Sequence, residues 1–367
     1  MVDMNRLCCF VLAGGEGKRL KSLTEKTCKP LVKIAAQFHL IDFSIFNCFY
    51  SDIYNIAFVV QYLATDLIKY LFESNVNSMG NIYILPPETD VITKEDITYK
   101  DTAHSVYANR DVFADGFDDV LILSADHVYS MDYRKFYEEH KESGADLSVS
   151  CMEVSEQEAR RFGVFEVDES GEILSFEEKP ENPKGNLASM GVYIFKKDLL
   201  MEVFEKFAAE GKTDLDFGRD IIPYYLRNYN VHTYKFTHFW ADLGTIDSFW
   251  RINMAILDSP EDILKAYSSN RQFKVLQNSS NLFPTFMAST SKIDASLLGK
   301  NCFIGGNIVH SVIGDRNHIQ KDAVIENSVL MDGCTVKEGV TVKYAVISDG
   351  CVIEEDIIGD AENIISV

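Results

Sequence analysis

The stretch Leu7-Cys8-Cys9-Phe10-Val11-Leu12-Ala13-Gly14-Gly15-Glu16-Gly17-Lys18-Arg19-Leu20 decides the fold. An unbroken apolar run, Leu7 to Ala13, ends in a cluster of three glycines. A parallel strand inside an α/β sheet is covered on both faces, so it reads as a continuous apolar run rather than an alternating one. The glycines then allow backbone N–H groups to approach a phosphate closely, with Lys18 and Arg19 supplying positive charge. The spacing matches neither a dinucleotide fingerprint nor a Walker loop, so a plain glycine turn remains an alternative at this point.

The same texture recurs along the first 257 residues. Ile53–Val60, Val120–Ser124 and Ala145–Met152 read as further buried strands, with helical patterns at Phe43–Tyr50, Thr65–Phe72 and Tyr133–Lys141. Strands alternating with helices predict an α/β, Rossmann-like domain with a mostly parallel sheet. Phe162–Val167, the turn at Glu169-Ser170-Gly171 and Ile173–Glu177 predict a hairpin added to it. After about Asp258 the composition becomes that of a linker, within which Phe273–Leu276 could form a short strand. From about Ile293 the apolar residues take a new period. Ile313, Ile319, Ile325, Leu330, Val336, Val342, Ile347, Ile353 and Ile358 follow one another at steps of five or six residues, with Gly314, Asp315, Asn317, Gly333, Gly339 and Gly350 between them. Such spacing predicts a β-helix of hexapeptide repeats, an antiparallel domain with regular turns being the alternative. The expected division is 1–257, a linker over 258–292, and 293–367.

A length of 367 residues agrees with two domains. The net charge of −21 argues against nucleic acid or an anionic membrane as the main partner. It leaves a small phosphorylated substrate open, because salt screens a distant acidic surface beyond about 8–10 Å. Lys18, Arg19, Lys26 and Lys29 form a local basic cluster against that background. No stretch reaches the roughly 18 apolar residues of a membrane helix, and Leu7–Ala13 is too short for a secretory core. The eight cysteines form no CxxC pair, which is expected of a reduced, cytoplasmic protein.

Two aspartates stand out. Asp126 ends the apolar run Leu121-Ile122-Leu123-Ser124, at the strand end where α/β sheets bind ligands. A carboxylate facing phosphates suits Mg²⁺, and a helix cap is the alternative. Asp242 lies in Phe239-Trp240-Ala241-Asp242-Leu243-Gly244-Thr245, where a turn aspartate is the alternative.

Taken together and in this order, the features resemble the sugar-nucleotide pyrophosphorylases. The stretches Ile41–Cys48, Asp101–Ala103, Ser124–Tyr129, Phe162–Val164, Ser189–Gly191, Asp216–Asp220 and Phe239–Trp250 are similar to the bacterial glucose-1-phosphate adenylyltransferases. The resemblance covers essentially the whole chain and implies a left-handed β-helix. It also implies transfer of the adenylyl group of ATP to glucose 1-phosphate with loss of pyrophosphate, for glycogen synthesis. A phosphate oxygen is already ionised at pH 7, so the reaction needs positioning and charge neutralisation rather than a general base.

By the same resemblance, Arg19, Lys29 and Asp126 are catalytic, and Asp126 and Asp242 hold Mg²⁺. Leu12, Ala13, Gly14, Gly15, Gly17, Gln61, Thr102 and Ala103 take the nucleotide. Tyr99, Gly163, Glu178, Lys179, Ser189 and Trp240 take the sugar phosphate. A homotetramer is implied, or a hetero-oligomer with a paralogous subunit. A weakly active or inactive regulatory subunit and a preference for another nucleotide are the alternative readings. The chain departs from the family pattern at Glu16, Phe46, Asp101, Ala125, Ala241 and residues 35–39. The last lack the basic residues of an activator site, so weak or absent activation by fructose 1,6-bisphosphate is expected.

Overall fold

A computed structural model describes residues 2–74, 76–89, 96–113, 116–168, 171–261, 263 and 283–367. Phe273–Leu276, most of the expected linker and the start of the turn at Glu169 lie outside the described residues. The N-terminal part runs β1 (Leu7–Ala13), α1 (Leu40–Tyr50), β2 (Asn55–Val60), α2 (Ala64–Glu73), β3 (Asn81–Leu85), α3 (Thr102–Ala108), β4 (Asp119–Ser124), β5 (His127–Tyr129) and α4 (Tyr133–Ser143). It continues through β6 (Leu147–Glu153), β7 (Gly163–Val167), β8 (Ile173–Glu178), β9 (Leu187–Lys196), α5 (Lys197–Ala209), α6 (Ile222–Asn228), β10 (Val231–Lys235), β11 (Trp240–Asp242) and α7 (Ile246–Asp258).

β1 lies at the centre, parallel to β2 on one side and β4 on the other. Leu7 to Val11 are fully buried, because helices cover both faces. β3 extends the parallel part beyond β2. On the far side, β9 runs antiparallel to β4 and β6, the hairpin β7–β8 joins Leu187 and Ala188 of β9, and β10 runs parallel to β6. The expected added hairpin is therefore present, on the edge of a sheet ordered β8-β7-β9-β4-β1-β2-β3. The carboxyl ends of β1 and β4 lie side by side, with Leu12 opposite Ser124. That register brings the glycine loop and Asp126 together.

The C-terminal part coils through three stacked sheets of short parallel strands, one of them Phe286–Met287, Phe303–Ile304, His318–Ile319, Thr335–Val336 and Val352–Ile353. The first of these strands already lies inside the stretch expected as linker. Asn301, Arg316, Gly333 and Gly350 turn one corner of successive coils with positive φ, and His310, Asn327 and Tyr344 turn another. Ile313, Ile319, Ile325, Leu330, Val336, Val342, Ile347 and Ile353 all point into one core, as expected. Ile358 does not, being 58% exposed. The last coil is shorter, pairing Val342 with Ile357 where Ile325 pairs with Val342, so the inward position falls on Ile357.

The coil docks on α7 and on the small hairpin Lys33–Ile34/Phe38–His39. Trp250 Nε1 donates to Asn327 O at 2.7 Å, and Lys33 Nζ donates to Asp332 Oδ2 at 2.7 Å and Asp315 Oδ2 at 3.0 Å. Ala35 and Ala36 turn the hairpin at φ of 53° and 60°, a left-handed conformation that strains residues with a Cβ. Beyond it, Asp42 enters α1 buried, accepting from His39 N at 2.8 Å and Tyr70 Oη at 2.5 Å. Burial pushes the Asp42 carboxyl up to about 7. Burial, and then the Lys33 charge, bring the His39 ring down to about 4.

These two shifts act oppositely on stability. A raised Asp42 binds an extra proton in the folded state between about pH 4 and 7, so it makes stability fall as pH rises there. A depressed His39 makes stability rise between about pH 4 and 6.5. Each slope is at most about 1.4 kcal/mol per pH unit, and in the wild type they largely cancel. Asp42→Asn should unmask a rise in stability between about pH 4.5 and 6.5, and His39→Gln a fall. Denaturant unfolding at both pH values checks this, and parallel pH dependence in all three proteins would exclude it.

Candidate active site

β1 and β4 open onto a cavity of about 300 Å³ lined by Leu12, Ala13, Gly14, Gly15, Lys29, Gln61, Tyr99, Asp101, Thr102 and Asp126, among others. Most residues expected to take the nucleotide thus share one wall. Ala103 does not reach it, being fully buried in the first turn of α3 behind Thr102. Gly17 lies off the wall at φ 67°, where a Cβ would come within 3.0 Å of Lys29 Cβ. Tyr99, expected with the sugar, lines this cavity instead. Its backbone N–H donates to Gln61 Oε1 at 2.8 Å.

Of the basic cluster, Lys29 alone is drawn inside. Lys29 Nζ donates to Asp126 Oδ2 at 2.6 Å and lies 3.8 Å from Asp242 Oδ1. β11 pairs antiparallel with β5, setting Asp242 opposite His127 and so beside Asp126. His127 Nε2 lies 3.3 Å from Asp126 Oδ1 and 3.8 Å from Asp242 Oδ1. Burial opposes ionisation of Asp126. The Lys29 ammonium, then His127 and the hydrogen bonds from Lys29 and Ser124, nevertheless hold its carboxyl well below the usual carboxylate range. Asp126, His127 and Asp242 present ligand atoms within 4.8 Å of one another, the set among the described residues that could hold a metal ion.

Arg19 and Arg161 complete the surroundings of Asp242. Arg161 Nη2 lies 3.0 Å from Asp242 Oδ2. A Cβ at Gly244 would come within 2.6 Å of Asp242 Oδ2, 2.9 Å of Arg161 Nη2 and 3.2 Å of Arg19 Nη2. Lys18 turns outward to Glu16 at 2.5 Å, and Lys26 is exposed.

The residues expected to take the sugar gather on the other side. Gly163 pairs with Glu178 across β7–β8, and a Cβ there would lie 2.6 Å from Glu178 Oε2. Gly218 closes on the same oxygen, its added Cβ falling at 2.4 Å. Lys179 Nζ lies 3.0 Å from Glu178 Oε1 and is largely exposed. Ser189 is buried on β9. Trp240 packs edge-on to His127, with ring centroids 5.2 Å apart, and against Phe162 at 5.0 Å. Trp240 Nε1 and His127 Nδ1 are buried without a hydrogen-bond partner. Two orphaned polar atoms beside a carboxylate pair are what a polar ligand would satisfy.

The departures at Glu16 and Asp101 are neutralised within the chain. Lys18 pairs with Glu16, and Arg219 Nη1 with Asp101 Oδ2 at 3.1 Å. The second Asp101 oxygen caps α3 through Thr102 N at 3.0 Å. Burial, and then Asp216, still raise the Asp101 carboxyl.

Two family models cover most of the chain. The Nucleotidyl transferase family matches residues 9–259, and the family described as GlmU-like, C-terminal hexapeptide matches 282–363. Glucose-1-phosphate adenylyltransferases from Bacillus thuringiensis (strain Al Hakam) and from Bacillus cereus are each 34% identical over 91% of this chain and 89% of their own length. The chain belongs to the glucose-1-phosphate adenylyltransferase family. Its chemistry is nucleotidyl transfer.

Sequence reasoning gave no role to His127 or Arg161. His127 carried a signal, since it adjoins Asp126 at the start of a strand. Arg161 carried none, because Arg160 and Arg161 in a glutamate-rich helical stretch read as solvated charge. Gly244→Ala tests the grouping. The crowded atoms are mostly ends of side chains, so the variant should fold and melt as the wild type does. Displacing them by about an ångström should lower nucleotidyl transfer on the order of 10²-fold. Pyrophosphate release measured beside thermal melting checks this, and undiminished release would refute the grouping.

Proposed function

We propose that the chain transfers the adenylyl group of ATP to the phosphate of glucose 1-phosphate, releasing pyrophosphate and supplying ADP-glucose for glycogen synthesis. The observation that carries this reading is Lys29 held between Asp126 and Asp242 at the mouth of the cavity walled by the glycine loop.

Each residue's part follows from charge. The backbone N–H groups of Gly14 and Gly15 face the triphosphate, and Gln61 with Thr102 faces the base. Lys29 neutralises charge at the reacting phosphates, and Arg19 stabilises the leaving pyrophosphate. Lys179 meets the sugar phosphate and Glu178 the sugar hydroxyls, with Gly163, Ser189 and Trp240 shaping that pocket. The nucleophile is an ionised phosphate oxygen, so none of these groups removes a proton.

The donor set fits Mg²⁺. That ion takes oxygen ligands, usually one or two carboxylates with substrate phosphates, and Asp126 and Asp242 offer two. Asp126 and Asp242 would hold it, and when bound it neutralises and polarises the phosphates. His127, a nitrogen donor, suits a hydrogen bond to the carboxylates better than ligation of Mg²⁺.

The catalytic work is assigned to residues 1–257 and assembly to 293–367. A cytoplasmic tetramer, of one chain or of two related ones, is the proposed form. Phe286 and Phe303, exposed and adjacent on one outward face of the coil, support assembly, with Val352 exposed on the same face beyond His318 and Thr335. Among the described residues no helix is long and apolar enough to cross a membrane. Fructose 1,6-bisphosphate is expected to activate weakly or not at all. Lys33 is already paired with Asp315 and Asp332, and such a seam repels an anion.

The test is pyrophosphate release by the purified chain with glucose 1-phosphate, Mg²⁺ and each of ATP, UTP, GTP and dTTP, with and without the bisphosphate. ATP should lead. Asp126→Asn should lower turnover by about 10²–10³-fold without loss of fold. Release from no nucleotide, or near-normal turnover in Asp126→Asn, would overturn the reading, and strong activation by the bisphosphate would overturn the regulatory expectation.

A further inference from the structure

One cation reaches the carboxylate pair from the sugar side. The short helix Glu156–Ala159 is capped by Ser155, whose Oγ accepts from Glu158 N at 3.3 Å, while the Glu158 carboxylate accepts from Ser155 N at 3.1 Å. Arg161 N then donates to Glu158 O at 2.9 Å, and the chain turns into β7. That turn separates two adjacent arginines. Arg160 stays on the surface, 3.5 Å from Glu156. Arg161 faces inward, its Nη2 3.0 Å from Asp242 Oδ2 and its guanidinium 5.6 Å from the centre of the Phe162 ring.

The next residue ties Arg161 to the sugar pocket. Phe162 O accepts from Lys179 N at 3.0 Å, so Arg161 and Lys179 leave the same end of the hairpin β7–β8. Phe162 also packs on Trp240, at 5.0 Å. Arg161 therefore stands beside the partly buried Asp242, on the stretch whose next residue is bonded to the exposed Lys179. Arg19 approaches the same aspartate from the glycine loop, on the nucleotide side.

We propose that Arg161 binds the phosphate of glucose 1-phosphate; this rests on the adenylyl-transfer reading. The incoming phosphate is an anion that must come up against Asp126 and Asp242, also anions. Lys179 meets it at the mouth of the pocket but does not reach the carboxylates. A guanidinium presents five N–H donors in a planar fork. One edge holds Asp242, and the other donors can take a phosphate oxygen. Arg161 thus cancels the repulsion between nucleophile and carboxylate at the point where they meet, and leaves Arg19 for the pyrophosphate. Ala241, uncharged beside Asp242, makes no competing contribution.

The test is initial-rate kinetics on wild type, Arg161→Ala, Arg161→Lys and Arg160→Ala, varying glucose 1-phosphate at saturating ATP and the reverse. Arg161→Ala should raise KM for glucose 1-phosphate about 10- to 100-fold and KM for ATP less than about threefold. Arg161→Lys, which keeps the charge and loses the fork, should fall between, and it serves if the alanine variant does not fold. Arg160→Ala should match wild type. An unchanged KM for the sugar phosphate overturns the assignment, as does an equal rise for ATP, which would mean that Arg161 only positions Asp242. A wild type inactive on glucose 1-phosphate overturns the adenylyl-transfer reading, and this assignment with it.

Discussion

Two carboxylates can face one another in this acidic chain because one ammonium lies between them. Lys29, almost wholly buried, holds Asp126 at 2.6 Å and lies 3.8 Å from Asp242. Without that charge the carboxylates would repel more strongly. Much of the local structure serves to place the lysine. Pro30 sets the start of the short turn Lys29–Leu31. Gly17 passes so close to the Lys29 Cβ that a side chain there would be tightly crowded, and its positive φ adds a second reason for glycine. The glycine loop and the lysine thus constrain each other, and the cavity between β1 and β4 takes its mouth from both.

The same device recurs four residues on. Lys33 joins the catalytic part to the coil by pairing with Asp315 and Asp332. The aspartates of the coil form a ladder, in which Asp315 N donates to Asp332 Oδ1 at 2.9 Å and Asp332 N to Asp349 Oδ1 at 2.8 Å. Each carboxylate uses one oxygen to hold the previous coil, and Asp315 and Asp332 turn the other toward Lys33. Burial, and then the charge of Asp332, raise the Asp349 carboxyl, at the end of the ladder that Lys33 does not bond. At the site and at the seam alike, an inward lysine thus stands between a pair of aspartates.

Much of this was legible in the primary structure. The run Leu7–Ala13 coincides with β1, and the inward residues of the coil were found from spacing up to Ile353. Those signals are periodic, and periodicity reports burial directly. Ile358 broke the pattern because a shortened coil changes the phase without changing the composition. Ala103 lies off the cavity because membership of a motif does not say which side of a helix faces a ligand. Glu16 and Asp101 stand out as departures from the family pattern because their partners, Lys18 and Arg219, cannot be read as partners from the sequence.

By itself, then, the sequence determined the class of the fold, the β-helix and the family, since apolar period and glycine-bounded strand ends are properties of contiguous residues. It also marked Asp126 and Asp242 separately, each at the end of an apolar stretch. Only the tertiary structure decided that they face each other across β5 and β11, that His127 and Arg161 stand beside them, and that Lys18 turns away. The physical reason is distance along the chain. Arg161 and Asp242 are brought to 3.0 Å by the pairing of strands and the capping of a short helix far from either motif. A charge carries no mark in the sequence of the charge it will meet.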